Sequence, residues 1–190
     1  MKKSIVPSAE HLAVHYKKLR SICTSVRGIN LLIVLVSTGA VLIAVLFFQK
    51  VLHLTPCPLC VTQRVFVMAI GLLALLAFIH APEKSGCRIY AGLGAVAALL
   101  GGAISLRHLW LQSLPEHLVP ACGSGIAYLF QTLPLMDALK VILQGDGDCA
   151  EVVWSQWGIS IPGWTLVSFI AFSLINAWQF TRPMPAKLLL

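Results

Sequence analysis

Charged residues are scarce in this chain of 190 amino acids. They make up 11% of the sequence, and only 7 residues are acidic, whereas about 25% of a soluble domain is charged. Hydrophobic residues make up 58%, and the mean hydropathy is +0.86. A water-soluble globule cannot hide that much apolar surface, so the composition excludes a soluble protein and predicts one embedded in a bilayer.

The net charge of +7 does not indicate a nucleic-acid-binding protein. The basic residues form no aromatic-interleaved groove and cluster beside apolar segments, where membrane topology places them. A signal peptide is also not expected. The first apolar run starts late, is too long for the apolar core of a signal peptide, and is not followed by an A-x-A cleavage site.

Four apolar segments predict membrane-spanning helices. They cover residues 29–48, a stretch centred on 65–79 that begins near Pro58, residues 89–106, and residues 161–180. The first has no charge and is long enough to cross a hydrocarbon core of roughly 30 Å. Trp164 and Trp178 lie near the ends of the last segment, as interfacial anchors do.

The basic residues predict the orientation. One side holds Lys2, Lys3, Lys17, Lys18, Arg20, Arg27, Lys84, Arg88, Arg182 and Lys187, and the other holds Lys50, Arg64, Arg107 and Lys140. The positive-inside rule therefore puts both termini in the cytoplasm. We expect a cytoplasmic tail at 1–28, a membrane domain at 29–180 with outer loops at about 49–64 and 107–160, and a cytoplasmic tail at 181–190.

The six cysteines sort cleanly on this topology. Cys23 and Cys87 fall on the cytoplasmic side, where thiols stay reduced. The outer side holds Cys57, Cys60, Cys122 and Cys149. Because the topology rests on Lys and Arg alone, this sorting supports it independently. Four cysteines allow three pairings, of which Cys57–Cys60 with Cys122–Cys149 is the simplest.

Cys57-Pro58-Leu59-Cys60 is the motif that carries most chemistry. A Cys-X-X-Cys pair at a helix start is a redox device, because the neighbouring thiol and the helix dipole favour a thiolate. If Pro58 takes the first helical position, Cys57, Cys60 and Arg64 lie on one helix face. Arg64 then requires a partner in lipid, either a Cys60 thiolate or the carbonyl of a bound ligand. The alternative is that Arg64 extends to the headgroups.

Other patterns have structural interpretations. Cys122–Cys149 could be a structural disulfide, and a Cys₄ zinc site would require a second short spacing, so no metal is expected. Asp146 and Asp148 lack the spacing of an EF-hand. The string at 92–97 resembles a dinucleotide fingerprint but lies in an apolar segment, where Gly94, Ala98 and Gly102 indicate close helix packing. Residues 126–143 are apolar with few charges and predict a helix along the membrane surface.

These features resemble the bacterial disulfide bond formation protein B (DsbB) family of quinone-dependent membrane thiol oxidases. The resemblance runs from Gly28 to Phe180. The motifs that carry it are Pro56-Cys57-Pro58-Leu59-Cys60 with Gln63-Arg64, Arg107-His108-Leu109-Trp110-Leu111-Gln112, Gly147-Asp148-Cys149-Ala150-Glu151 with Trp154, and Ile161-Pro162-Gly163-Trp164.

The resemblance implies an all-α membrane protein, a four-transmembrane-helix bundle with a short and a long periplasmic loop. It implies catalytic cysteines at Cys57, Cys60, Cys122 and Cys149. A thioredoxin-like periplasmic thiol oxidase (DsbA-like) would attack Cys122, and Cys149 would then attack Cys57. Cys60, Arg64 and His108 would bind ubiquinone or menaquinone in the inner membrane. Without the resemblance, His108 would be read as a headgroup-level histidine.

Two alternatives remain at this point. The vitamin K epoxide reductase family also places a Cys-X-X-Cys at a quinone in a four-helix bundle, but its active pair is expected near the end of the last helix. A membrane scaffold with structural disulfides would have no catalytic cysteine.

Overall fold

A computed structural model describes residues 26–119 and 131–182 of the chain. Cys23 and Cys122 therefore lie outside the described residues. The rest of the cysteines and the other predicted site residues lie within them.

Four long apolar helices dominate the molecule. Helix α1 spans Val26–Leu42 and continues directly as a π-helix, Ile43–Val51; α2 spans Pro58–His80; α3 spans Lys84–Gln112; and α6 spans Ile161–Thr181. All four are long and apolar enough to cross a bilayer. The prediction of an all-α membrane protein built as a four-helix bundle is confirmed.

Each long helix packs against its neighbours in a simple chain. Helix α1 lies against α2, α2 against α3, and α3 against α6. The buried core between them includes Ile33, Ile70, Ala98 and Phe169. Outward-facing leucines and isoleucines remain exposed along all four helices, as expected of surfaces that face lipid.

Small residues on α3 permit its close approach to α6. A Cβ on Gly94 would meet the Asn176 side chain, and a Cβ on Gly101 would collide with the ring of Phe169. Ala98, between them, is fully buried. The interpretation of this stretch as a helix-packing surface is therefore confirmed, although Gly101 makes a closer contact than Gly102.

The described parts of the segment between α3 and α6 form several short elements. A 3₁₀-helix spans Glu116–Leu118, α4 spans Leu135–Gln144, and α5 spans Gly147–Ala150. Strands β1 (Ser155–Gln156) and β2 (Ile159–Ser160) pair antiparallel, with Ser155 opposite Ser160. Helix α4 overlaps the stretch 126–143 that was expected to lie along the membrane surface, of which residues 126–130 lie outside the described residues. The hairpin was not predicted from the sequence.

Candidate functional site

The Cys57–Cys60 pair lies at the start of α2. Cys57 is the N-cap, with extended backbone, and its Sγ accepts a 3.4 Å hydrogen bond from the backbone N–H of Cys60. Pro58 occupies the first helical position, where its missing N–H costs nothing. The predicted helix start is confirmed. The capping bond also directs one of the orphan backbone donors of the helix at a sulfur, which favours its charged form.

Cys149 packs beside this pair from the outer segment. It is fully buried in a cluster with Cys57, Leu59, Ile104 and Leu111. Cys149 is carried by the short helix α5, and its N–H donates to the Asp146 carbonyl at 3.0 Å. Three of the four predicted catalytic cysteines therefore meet at one place, and Cys122 lies outside the described residues.

A glycine permits the outer segment to come this close. Gly145 has φ of +75°, a backbone conformation that side chains disfavour. A Cβ there would approach Leu111 Cδ1 to 2.5 Å and Leu59 Cδ1 to 3.1 Å. Both leucines belong to the cluster around Cys149, so the absence of a side chain at position 145 sets the distance between α5 and α2.

The pKa values of Cys57 and Cys149 depend on each other. The hydrogen bond with Cys149 favours the Cys57 thiolate, but the bond with Cys60, burial and the charge on Cys60 outweigh it and raise the pKa of Cys57 to about 12. The bond with Cys57 and burial together raise the pKa of Cys149. Both thiols therefore hold their protons at neutral pH when reduced, because the balance of the hydrogen bonds to the neighbouring thiols, together with burial, favours the protonated form.

His108 contacts Cys57 from α3. Its Nε2 lies 3.8 Å from Cys57 Sγ, and its Nδ1 lies 3.3 Å from the side-chain amide of Gln63 on α2. Both His108 and Gln63 are only 2% exposed. The expected contact between His108 and a quinone stays a prediction, since the ring lies against the cysteine pair and is separated from the neighbouring cavity by Gln63.

Arg64 lies one turn after Cys60 and is held by the first membrane helix. Its Nη1 donates to Gln49 Oε1 at 2.6 Å, and its Nη2 donates to the Ala44 carbonyl at 3.3 Å. Both acceptors belong to the π-helix, a type of distortion that occurs often at functional sites. The guanidinium also acts electrostatically on Cys60. The hydrogen-bond partners of Arg64 are therefore Gln49 and the Ala44 carbonyl, and a Cys60 thiolate or a ligand carbonyl as its partner stays a prediction.

A cavity of about 380 Å³ opens beside Cys60 and Arg64. Its walls come from α1, the π-helix, the start of α2, the Trp154 segment and the start of α6, and they are mostly apolar. The polar groups on the wall include Gln63 and the indole of Trp164. The Nε1–H of Trp164 is buried and has no hydrogen-bond partner among the described residues. A mostly apolar cavity with a few polar groups suits a lipid-soluble ring compound that carries carbonyl oxygens.

The cluster also has the donor set of a metal site. The ligand atoms of Cys57, Cys60 and His108 lie within 4.8 Å of one another. Two thiolates and an imidazole suit a soft cation such as Zn²⁺. This set differs from the Cys₄ alternative weighed on the sequence, because the imidazole of His108 replaces the cysteines of the outer segment.

Three contributing residues were not given a role in the site from the sequence, although Trp164 was predicted as an interfacial anchor. Gln49 bonds to Arg64, Gln63 bonds to His108, and Trp164 presents to the cavity an N–H with no partner among the described residues. Gln63 was visible within the Gln63-Arg64 motif, and Trp164 within Ile161-Pro162-Gly163-Trp164. Gln49 had one available signal, since it is a polar residue at the end of an otherwise uncharged membrane segment.

Comparisons with known proteins agree with this arrangement. Residues 26–179 match the family model described as "Disulfide bond formation protein DsbB". A disulfide bond formation protein B from Saccharophagus degradans is 48% identical over 151 residues, covering 80% of this chain and 91% of that protein. The protein of the same name from Marinobacter nauticus is 51% identical over 152 residues, covering 80% and 89% respectively.

A further relative covers still more of the chain. The disulfide bond formation protein B of Acinetobacter baylyi is 41% identical over 162 residues, which is 85% of this chain and 94% of that protein. The matched region includes the first three membrane helices, all but the last two residues of α6, the cysteine cluster and the cavity. The chain therefore belongs to the disulfide bond formation protein B (DsbB) family.

Proposed function

We propose that this membrane protein is a thiol:quinone oxidoreductase that sustains disulfide bond formation. It takes electrons from the dithiol of a thioredoxin-like periplasmic oxidase and passes them to ubiquinone or menaquinone. The observation that carries the proposal is the cluster of Cys57, Cys60 and Cys149 beside an apolar cavity lined by Cys60 and Arg64. Family membership supports disulfide-forming chemistry in general.

The contact between Cys149 and Cys57 supports transfer from the outer segment to α2. In this step a deprotonated Cys149 attacks Cys57 Sγ within a Cys57–Cys60 disulfide. The Cys57–Cys149 bond forms, the Cys57–Cys60 bond breaks, and Cys60 leaves as a thiolate. The hydrogen-bonded approach of the two thiols supplies the proximity that such an exchange requires. In our proposal the partner thiolate first attacks Cys122 within a Cys122–Cys149 disulfide; the mixed disulfide forms on Cys122, and Cys149 leaves as the thiolate.

The cavity supports a quinone as the acceptor. A quinone bound there supplies a sink for two electrons and two protons. Arg64 and the free Nε1–H of Trp164 would hold its carbonyl oxygens, and Cys60 lines the same wall. The positive guanidinium of Arg64 acts electrostatically on Cys60, so it would stabilise the Cys60 thiolate produced by the exchange.

The helix ends support the proposed orientation. Arg27 lies over the ring of Phe78, so the start of α1 and the end of α2 share one side of the bundle. Arg88 and Arg182 also flank membrane helices at that side by the alternation of the four spans. Under the positive-inside rule this side is cytoplasmic. Cys57 and Cys149 are then periplasmic, in the inner membrane of a bacterium.

The two alternatives make different demands on these residues. In a protein like vitamin K epoxide reductase the active pair is expected near the end of the last helix, whereas here it caps α2. If the protein is a non-catalytic scaffold, replacing Cys57 by serine should leave its function intact. Reduction of the protein should then cause no change in quinone absorbance.

Serine variants of Cys57, Cys60, Cys122 and Cys149 test the proposal. Each is expected to abolish stopped-flow oxidation of the partner dithiol in membranes that contain quinone. Cys87→Ser is the matched control, because Cys87 is buried on α3 with its thiol donating to the Pro82 carbonyl, far from the cluster in sequence. Full activity of Cys60→Ser would refute the scheme.

The partner can be identified by trapping. In cells that carry Cys149→Ala, Cys122 is a free thiol. Its attack on the disulfide of the oxidised partner breaks that disulfide and forms a Cys122 adduct, which has no resolving thiol in the outer segment and should accumulate. Mass spectrometry of that adduct names both the partner and the attacked cysteine. An adduct on Cys57 alone would contradict the proposed order of transfer.

A further inference from the structure

We infer that the reduced protein binds one Zn²⁺ ion through Cys57, Cys60 and His108, and that the bound ion prevents this cysteine pair from closing. The binding follows from the geometry of three side chains and does not depend on the proposed function. Its consequence, slower electron transfer to the quinone, rests on that function. Zinc therefore acts here as an inhibitor and not as a cofactor of the reaction.

The three donor atoms stand at nearly the spacing that zinc requires. The ligand atoms of Cys57, Cys60 and His108 all lie within 4.8 Å of one another, and Cys57 Sγ is 3.8 Å from His108 Nε2. Zinc bonds of about 2.3 Å to sulfur and about 2.0 Å to nitrogen, at tetrahedral angles, place a sulfur and a nitrogen about 3.5 Å apart and two sulfurs about 3.8 Å apart. Movements of about 1 Å or less therefore bring all three atoms to one ion.

Each donor is carried by a helix and not by a loop. Cys57 caps α2 and Cys60 lies in its first turn, so the start of that helix fixes the spacing of the two sulfurs. His108 lies on α3, which packs along α2. A Cys-X-X-Cys pair on one element with a histidine from a second is a common zinc arrangement. The set thus requires no loop to fold around the ion.

Gln63 prepares the ring for this role. A redox pair by itself accounts for the closeness of Cys57 and Cys60 but requires no imidazole at the sulfur. The amide of Gln63 lies 3.3 Å from His108 Nδ1. With its carbonyl oxygen turned to the ring it accepts a hydrogen bond from Nδ1–H, and Nε2 then presents its lone pair to the sulfurs. Metal-binding histidines usually have such an acceptor at the second ring nitrogen, which fixes the tautomer and the ring orientation.

A divalent cation also suits the charge of this place. Two thiolates and a neutral imidazole carry two negative charges, which one Zn²⁺ cancels, so the loaded set leaves no net charge in the apolar cluster. Asp146 is buried, and its Oδ1 has no hydrogen-bond partner within the part of the chain that the structure describes. Its carboxylate acts electrostatically on His108 and adds to the attraction for a cation. The guanidinium of Arg64 opposes this attraction, but its two nitrogens donate to the π-helix.

Cys60 gives the ion access to the set. Cys57 is 7% and His108 is 2% exposed, whereas Cys60 is only half-buried and lines the cavity of about 380 Å³. Three protein ligands leave one tetrahedral position open, and water in the cavity can fill it. The site therefore has an entry path as well as a donor set.

Binding and closure compete for the same two sulfurs. Binding forms two Zn–S bonds and one Zn–N bond, releases the thiol protons to water and transfers no electrons, since Zn²⁺ has no redox chemistry of its own. Closure forms the Cys57–Cys60 bond and gives two electrons and two protons to the quinone, so the ion must leave first. A disulfide offers no thiolate, and the oxidised pair therefore binds no zinc.

Metal binding is tested on a variant that keeps only Cys57 and Cys60 of its cysteines. The reduced protein is titrated anaerobically with Co²⁺, which reports thiolate ligands by its charge-transfer absorption and tetrahedral geometry by its visible bands. Zn²⁺ is then added to displace the cobalt. We expect one ion per reduced chain and none after the pair is oxidised. His80→Gln is the matched control, since His80 is an exposed histidine at the far end of α2, and it should leave the affinity unchanged.

Variants of the ring and its partner identify the ligands. We expect His108→Asn to weaken zinc binding at least about 100-fold, and Gln63→Ala to weaken it about 10- to 100-fold. His108→Cys supplies a different zinc ligand at the same place and should bind at least about tenfold more tightly than His108→Asn. Native affinity in His108→Asn, or equal metal binding by the reduced and oxidised pair, would overturn the site.

The inhibition is tested on the same two-cysteine protein without any partner. Fully reduced protein is mixed with a short-chain ubiquinone analogue, and thiol loss is followed with a chelator or with Zn²⁺ at ten times its dissociation constant. We expect zinc to slow closure about tenfold, because about one chain in ten is then free of the ion. Mg²⁺ at the same concentration should have no effect, because it prefers oxygen ligands.

The outcomes separate the metal site from the proposed function. Zinc that binds to the reduced pair without slowing its closure would overturn the inhibition. If the protein does not reduce the quinone even with chelator present, the proposed electron transfer fails, and the cobalt titration alone decides the metal site.

Discussion

The guanidinium of Arg64 on α2 donates a hydrogen bond of 2.6 Å to the side-chain carbonyl of Gln49, at the end of the first membrane helix. A second bond reaches the backbone carbonyl of Ala44 one to two turns earlier. Each acceptor lies within the π-helix, and both Arg64 and Ala44 line the cavity. These two hydrogen bonds hold the guanidinium of Arg64 on the cavity wall, so it does not extend to the lipid headgroups.

Arg64→Ala should weaken quinone use more than it harms folding. A hydrogen bond to a charged group is worth about 1.5–3 kcal/mol, so we expect the apparent quinone KM to rise about 10- to 100-fold. Steady-state turnover with varied quinone measures this, and detergent-solubilised thermal unfolding measures stability. Arg64→Lys keeps the charge but loses one of the two hydrogen bonds of the guanidinium, so its quinone KM should lie between that of the native protein and that of Arg64→Ala. An unchanged KM in Arg64→Ala would count against a quinone contact.

Gln49→Leu should act through Arg64. It removes the acceptor of the shortest Arg64 bond and leaves the apolar length of the helix intact. We expect a rise in quinone KM of about 3- to 10-fold, with little further effect when combined with Arg64→Ala, because residues in one network are not additive. Lys50→Ala is the control, since the neighbouring Lys50 is exposed. Fully additive effects in the double variant would show that Gln49 acts elsewhere.

Trp164→Phe tests the polar group of the cavity wall. The change removes the buried Nε1–H, which has no partner within residues 26–119 and 131–182, and keeps most of the ring. A lost neutral hydrogen bond of about 0.5–1.5 kcal/mol predicts a rise in quinone KM of about 2- to 10-fold. Thiol exchange between the cysteine pairs should not change. Trp178→Phe, on the same helix beside Arg182, is the matched control and should leave KM at the native value.

Gly145→Ala should displace Cys149. A methyl group there meets Leu111 and Leu59, and the positive φ adds strain of about 1–3 kcal/mol. We expect slower formation of a Cys57–Cys149 disulfide on mild oxidation of a Cys60→Ser variant, followed by non-reducing electrophoresis. Gly158→Ala is a sharp control, because Gly158 has φ of +78° but nothing lies within 4 Å of an added Cβ. Equal slowing in both variants would attribute the effect to backbone strain alone.

The stability of the reduced protein should fall as the pH rises above about 9. In the folded protein Cys57 keeps its proton up to a pKa of about 12, whereas the thiol ionises near 9 in the unfolded chain. The unfolded state therefore loses protons first, and the free energy of unfolding falls by up to about 1.4 kcal/mol per pH unit between these values. Thermal unfolding under reducing conditions from pH 7.5 to 10 measures this.

Cys57→Ser separates this effect from the titration of surface groups. The variant should lose the contribution of Cys57 to the pH dependence above about 9, because its hydroxyl does not titrate in that range, while Cys149, whose pKa the bond with residue 57 and burial also raise, keeps its own contribution. If native protein and Cys57→Ser have parallel profiles, the buried thiol does not hold its proton as the surroundings of Cys57 require.

The sequence predicted those features that depend on local or compositional rules. Hydropathy alone locates the membrane helices, and Pro58 after Cys57 marks the start of α2 because proline suits the first helical position. The spacing of Gly94 and Ala98 likewise indicates a packing surface. These signals lie within one element, so they can be read without knowing what surrounds it.

Contacts between different helices could not be predicted from the sequence. The Arg64 partners on the π-helix depend on how α1 and α2 pack, and neither hydropathy nor spacing reports a switch from α to π hydrogen bonding. The position of His108 against Cys57 depends on the rotation of α3 about its axis. The β-hairpin near Trp157 was hidden in a region interpreted as a loop, because its strands have only two residues each.

Phe48 and Trp154 meet edge to face, with ring centroids 5.0 Å apart, and both form part of the cavity wall. One ring belongs to the first membrane helix and the other to the segment that follows Cys149. Any displacement of that segment which separates the rings must also open a side of the cavity. Under the proposed function, binding of a partner protein at this segment and access of a quinone to the cavity would therefore depend on the same aromatic contact.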